Sequence, residues 1–114
     1  YGIGRRYHAV AGIFGAAQTR ADFQGTYFYN SDFRNANLKG SNLQSTNFAS
    51  AILDRANLSE TNISNANIQN SSMFGINLVK SLMTDADFVS ANISAANLNL
   101  VSGSNVDFSS TNIT

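Results

Sequence analysis

The chain's one histidine, His8, follows Arg5, Arg6 and Tyr7, and together they form a small basic cluster. An imidazole needs a partner to orient it, and no acid lies near His8 in sequence, so it makes neither a triad nor a metal site. Four of the seven acids, Asp22, Asp32, Asp87 and Asp107, fall at one slot of a recurring pattern, while Asp54, Glu60 and Asp85 are scattered. No pair is spaced for acid/base work on a glycoside, and no run resembles a calcium loop. Residues 2–4 read Gly-Ile-Gly, without the strand and third glycine that a dinucleotide fingerprint requires. There is no cysteine, which excludes a thiolate nucleophile, a disulfide and a Cys-based zinc site and leaves the redox compartment unread. These residues predict a non-enzymatic chain with no catalytic residue, no cofactor and no metal.

What the sequence does carry is a period. From Phe23 onward every fifth residue is large and apolar: Phe23, Phe28, Phe33, Leu38, Leu43, Phe48, Leu53, Leu58, Ile63, Ile68, Met73, Leu78, Met83, Phe88, Ile93, Leu98, Phe108 and Ile113, broken once by Gly103. Two residues before each stands Ala, Ser or Thr, except at Ile76, Val101 and Val106. A helix repeats its apolar face every 3.6 residues and a strand every 2, so a period of five is a repeat architecture. The 114 residues suit one domain. Seven Lys/Arg offset seven Asp/Glu, so no overall field steers nucleic acid or an anionic surface. Charged residues are only 12% of the chain, but apolar residues at 43%, placed at fixed intervals, argue for a packed structure. Proline is absent, as suits a backbone whose donors are all wanted in one hydrogen-bonded array. The longest apolar run, residues 9–17, is far short of the roughly 20 residues that span a bilayer.

The repeat A-[DN]-[LF]-x-x resembles the pentapeptide repeat family, nearly clean in ADFQG (21–25), ANLKG (36–40), ANLSE (56–60), ADFVS (86–90) and ANLNL (96–100). The resemblance covers residues 21–114 and implies an all-β fold, a right-handed quadrilateral parallel β-helix with four pentapeptides per coil. On that fold residues 21–114 make about 4.7 coils, preceded by an N-terminal cap and degenerate first turns in residues 1–20. Positions twenty apart then stack, giving an all-Leu column (Leu38, Leu58, Leu78, Leu98) with its own Asn column (Asn37, Asn57, Asn77, Asn97). Each axial side chain contributes about 1.5–3 kcal/mol of gross burial. The stacked Asn amides are expected to bond one another along a ladder. The Asn-x-Ser/Thr sequons at Asn57, Asn62, Asn70, Asn92 and Asn112 arise from the repeat itself. At Gly103, Val101 and Val106 are expected to fill the vacated axis; the alternative is a bulge in a fraying coil.

Residues 9–17, after Arg5 and Arg6, faintly resemble a short signal-peptide core, but residues 1–10 read first as a cap over an open end. The sequence stops in phase and mid-coil, so a partner on the C-terminal coil end is a further expectation. The slots just before, one after and two after each axial residue should face solvent. Tyr27, Tyr29, Phe74, Val79, Leu82, Val89 and Leu100 put large apolar groups there and are the candidate partner contacts. The expected function is a structural or protein-interaction module, a scaffold or accessory subunit of a larger complex with protein partners, no nucleic acid and no membrane span. Short members of the family are frequent in cyanobacteria and chloroplasts, including the thylakoid lumen. Other members imitate duplex DNA and bind type II topoisomerases. Mimicry needs a clear excess of acid, which a chain of zero net charge lacks.

Overall fold

The computed structural model describes residues 19–114; the expected cap in residues 1–10 and the cluster around His8 lie outside them. Within the described residues every fifth residue from Asp22 to Asn112 is a single parallel bridge, and each bridge joins residues twenty apart, from Asp22–Asn42 to Asn92–Asn112. Between bridges the chain turns, so twenty residues make one four-sided coil and coil stacks on coil. No strand longer than one bridged residue occurs among the described residues. The walls are named here by their axial columns: wall 1 begins at Phe23, wall 2 at Phe28, wall 3 at Phe33 and wall 4 at Leu38. Walls 1 and 3 are opposite, as are walls 2 and 4.

Nearly every corner is a tight turn. The axial carbonyl accepts from the amide three residues on, as from Ala56 to Leu53 (3.0 Å) and from Ser41 to Leu38 (3.0 Å), while at Leu58 the Thr61 hydroxyl takes the carbonyl instead (2.7 Å). The second corner residue has positive φ, as at Gly25 (72°), Asn30 (59°), Glu60 (60°) and Lys80 (61°), which is the type II pattern. Gly and Asn supply many of these positions because they enter the left-handed region at least cost. The Arg20 side chain from the coil before lies across Gly40, within 2.7 Å of where a Cβ would stand, a contact that a shift of the flexible guanidinium would relieve.

The pentapeptide 56–60 shows where the backbone donors go. Ala56 closes the turn, while Asn57 donates to Ala36 (2.9 Å) in the coil before and Leu58 and Glu60 donate to Asn77 and Val79 (both 2.8 Å) in the coil after. The fifth donor, Ser59 N–H, goes to the Asn57 side-chain oxygen (3.0 Å). All five amides are used, as a buried backbone demands.

This corrects the expected Asn ladder. In each repeat with Asn or Asp before the axial residue, the side-chain oxygen accepts the amide two residues on, as at Asn37, Asn62, Asn77, Asp87 and Asn97. No bond between stacked Asn amides occurs among the described residues. The local Asx turn wins because it satisfies the one amide per repeat that coil stacking leaves over.

The core is the axis. Fifteen of the eighteen expected axial residues, Phe23 to Ile93, are buried, Leu98 is half-buried, and Phe108 and Ile113 are exposed because no coil is stacked on them. Phe23, Phe28, Phe33 and Phe48 meet edge-to-face or stacked at 4.8–5.5 Å, as does the pair Phe88–Phe108 at 5.1 Å. The small residues two before the axis are buried too from Thr26 to Ala91, while Ala21, Ala96 and Thr111 are half-buried; of their hydroxyls, Thr46 and Thr61 bond the carbonyls of Leu43 and Leu58 (both 2.7 Å). Those of Ser31, Ser71 and Ser81 are buried without a partner.

At Gly103, φ is 130° and an added Cβ would meet Thr84 N at 2.7 Å and the Met83 carbonyl carbon at 2.9 Å. Backbone has moved into the space a side chain would take, while Val101 and Val106 pack partly buried against the core. The chain bends there without the regular turn.

Candidate protein-binding surface

With the backbone closed on itself, only outward side chains can meet a partner. The seven candidate contacts are spread around the rod. Leu82 is on wall 1 and Tyr27 on wall 2; Tyr29 and Val89 are at the corner between walls 2 and 3, Phe74 is at the corner between walls 3 and 4, and Val79 and Leu100 are at the corner between walls 4 and 1. Tyr27, Tyr29, Phe74, Leu82 and Leu100 are exposed, Leu100 most of all at 72%, while Val79 and Val89 are half-buried. Ile52, exposed on wall 3, was not among the sequence candidates; it stands where most repeats have Asn.

The most developed chemistry lies at the corner between walls 3 and 4, where Arg34, Asp54 and Phe74 stack twenty residues apart. Asp32 grips Arg34, with Nη2 donating at 2.6 Å and Nε at 3.0 and 3.1 Å. The hydrogen bonds from Arg34 hold the Asp32 carboxyl below its ordinary range, against the opposing effect of burial, and raise the guanidinium in turn. One coil on, Asp54 Oδ1 accepts from Ser72 Oγ (2.6 Å) and from the Phe74 amide (3.1 Å). Ser72 occupies an Asx slot, and Asp54 of the preceding coil supplies the acceptor for Phe74 N–H. Arg55 lies over the Phe74 ring, 5.3 Å from its centroid. The result is an aromatic side chain whose backbone amide is held by a carboxylate and whose ring is covered by a cation. Arg and aromatic groups set this way are typical anchors of protein interfaces.

The other acids do local work. Asp107 accepts from the Ser109 hydroxyl (2.6 Å) and amide (2.9 Å), which lowers its carboxyl from the ordinary value. Asp87 accepts from Gln69 of the preceding coil at 2.7 Å. Lys39 and Glu60 approach to 3.8 Å at the corner between walls 4 and 1. Among the described residues no three His, Cys, Asp or Glu side chains converge to hold a metal, and no helix is long and apolar enough to cross a membrane.

A family profile described as "Pentapeptide repeats (8 copies)" matches residues 19–53 and 41–78. This chain belongs to the pentapeptide repeat family, whose fold is the right-handed quadrilateral β-helix. Among solved structures it is similar to a trypsin-treated form of QnrB1, a plasmid-mediated fluoroquinolone resistance protein: 21% identity, TM-score 0.70, covering 92% of this chain and 56% of QnrB1. It is also similar to HetL of the cyanobacterium Nostoc sp. strain PCC 7120, a protein involved in heterocyst differentiation regulation (26%, TM-score 0.54, 83% and 42%). A third is a pentapeptide repeat protein of the Arabidopsis thaliana thylakoid lumen (24%, TM-score 0.57, 80% and 60%). The chain thus spans between two fifths and three fifths of the length of these relatives. No curated protein matches the sequence significantly.

Proposed function

We propose that this chain is a non-enzymatic structural and protein-interaction module, a small scaffold or accessory subunit of a larger assembly. In this reading residues 21–114 form a rod of about 4.7 coils and residues 1–20 its cap and lead-in. The observation that carries the proposal is the Arg55–Phe74 pair, braced by Asp54 on a wall whose backbone groups are already satisfied. Exposed Phe108 and Ile113 offer an apolar seat to a partner or to further coils. Mimicry of duplex DNA is disfavoured, because residues 19–114 carry five Lys/Arg against seven Asp/Glu, far from one charge per ~1.7 Å. The test is affinity purification from the native source with the wild-type chain and with Arg55→Ala/Phe74→Ala. A partner recovered with the first and lost with the second supports the proposal. Equal recovery with both, or no partner at all, counts against it.

A further inference from the structure

Zero net charge hides a segregation around the rod. All five cations of the described residues, Arg20, Arg34, Lys39, Arg55 and Lys80, lie on the two corners that flank wall 4. Only two acids, Asp54 and Glu60, share those corners, and Asp32 on wall 3 neutralises Arg34, which leaves an excess of two positive charges. Wall 4 itself carries the column Asn37, Asn57, Asn77 and Asn97, whose oxygens are committed to their Asx turns. Wall 2, directly opposite, and its two corners carry Asp85, Asp87 and Asp107 and no cation. Among the described residues Arg20, Arg55 and Lys80 have no carboxylate within ion-pair distance.

The two faces also match along the axis. On the wall 4 side four of the five cations belong to the early coils, up to Arg55, and the apolar groups Phe74, Val79 and Leu100 to the later ones. On the wall 2 side the order is reversed, with Tyr27 and Tyr29 early and the three acids late. Wall 4 laid on wall 2 of another copy, with the rods antiparallel, sets cations against acids in one half and apolar groups against tyrosines in the other. Both faces have the same spacing of about 4.8 Å between coils, so their rows stay in step.

We propose that the rod associates with a second copy of itself, wall 4 against wall 2 and antiparallel. This rests on the reading of the chain as an interaction module and names the surface and the partner. A face some 20 Å wide and roughly 22 Å tall buries about 900 Å² in total, the size of a weak, transient contact. Because the contact is heterologous it leaves a free wall at each end and extends into open rows rather than closing. A continuous polyanion fits less well, since it would meet Asp54 and Glu60 within the same rows of cations.

The test is sedimentation equilibrium of the purified full chain at about 0.5 mM, in about 0.02 M and about 0.5 M salt. The mass at low salt should rise at least about 1.5-fold above the 12.2 kDa monomer and fall back at high salt. Two fold-preserving variants follow. Arg20→Glu/Arg55→Glu uses the residue that Glu60 already places in the same left-handed slot. Asp85→Lys/Asp87→Asn/Asp107→Asn uses the slot of Lys80 and keeps both Asx caps. Each variant alone should stay monomeric at low salt, and an equimolar mixture should associate again. Monomers at low salt overturn the proposal, as does association that both variants retain, which would mark end-to-end stacking. Binding of the wild type to a single-stranded 20-mer oligonucleotide or to phosphatidylglycerol vesicles without self-association overturns it too. A monomeric chain that still loses its native partner on Arg55→Ala/Phe74→Ala overturns this inference and leaves the interaction-module reading standing.

Discussion

Replacing Asn57 separates the Asx-turn role of the repeat's asparagine from any ladder role. Its Oδ1 accepts the Ser59 amide at 3.0 Å and the Ser59 hydroxyl at 2.7 Å, and Ser59 is itself buried. Asn57→Ala strands that amide, a loss of about 1–3 kcal/mol for a buried donor, and partial access to water at the corner brings the expected cost to about 1–2 kcal/mol. Asn57→Asp keeps the acceptor and discards only the amide donor. Asp already fills this slot at Asp22, Asp32, Asp87 and Asp107, so the expected cost is under about 0.5 kcal/mol. Urea midpoints at pH 7 give the ranking, and hydrogen exchange at the Ser59 amide gives the site directly, with faster exchange in Asn57→Ala alone. If Asn57→Asp costs as much as Asn57→Ala, the amide donor matters and the Asx account is refuted.

The same reasoning extends to other positions. Ser81→Ala removes a buried hydroxyl without a partner and should leave the urea midpoint unchanged or raised, whereas Thr61→Ala, which frees the Leu58 carbonyl, should lower the midpoint through a stability loss of about 1 kcal/mol. Gly103→Ala pushes a Cβ onto the backbone of Met83 and Thr84 at positive φ; exchange at the amides of Met83 and Asp85, which bond the last coil, should rise by about tenfold. The Asp32 carboxyl is held low by Arg34, so its contribution is fully present above its unfolded value of 3.8 and is lost as pH falls through the lower folded value. Urea midpoints taken down the acid range should therefore fall less steeply in Asp32→Asn, by a small margin because the pair is exposed.

The repeat made the coil legible. A period of five with small residues two ahead of each large one sorts Leu38, Leu58 and Leu78 into one column, and the bridges join Asn37, Asn57 and Asn77 in that order. The role of Asn was not legible, because composition shows an amide but not which amide of the backbone lacks a partner. That follows only once coil stacking has used the other four donors. Asp54 is a similar case: in sequence it is a scattered acid, and only the stacked coil brings it to the amide of Phe74. The charge segregation was within reach. Taken modulo twenty, Arg34 and Arg55 fall at one corner and Arg20, Lys39 and Lys80 at the next, but the totals that balance to zero conceal it. Spacing also marked Gly103 as an irregularity without showing that the backbone itself would close the gap.

The central claim is that a chemically quiet wall carries its function on a few outward side chains. Hydroxyl-radical footprinting of the chain in its native assembly, against the isolated chain at high salt, tests this most directly. The account predicts that oxidation of Phe74 and Leu100, exposed at 40% and 72%, drops on assembly, while buried Phe28 and Phe48 stay unlabelled in both states. Phe74 and Leu100 labelled equally in the two states would contradict it.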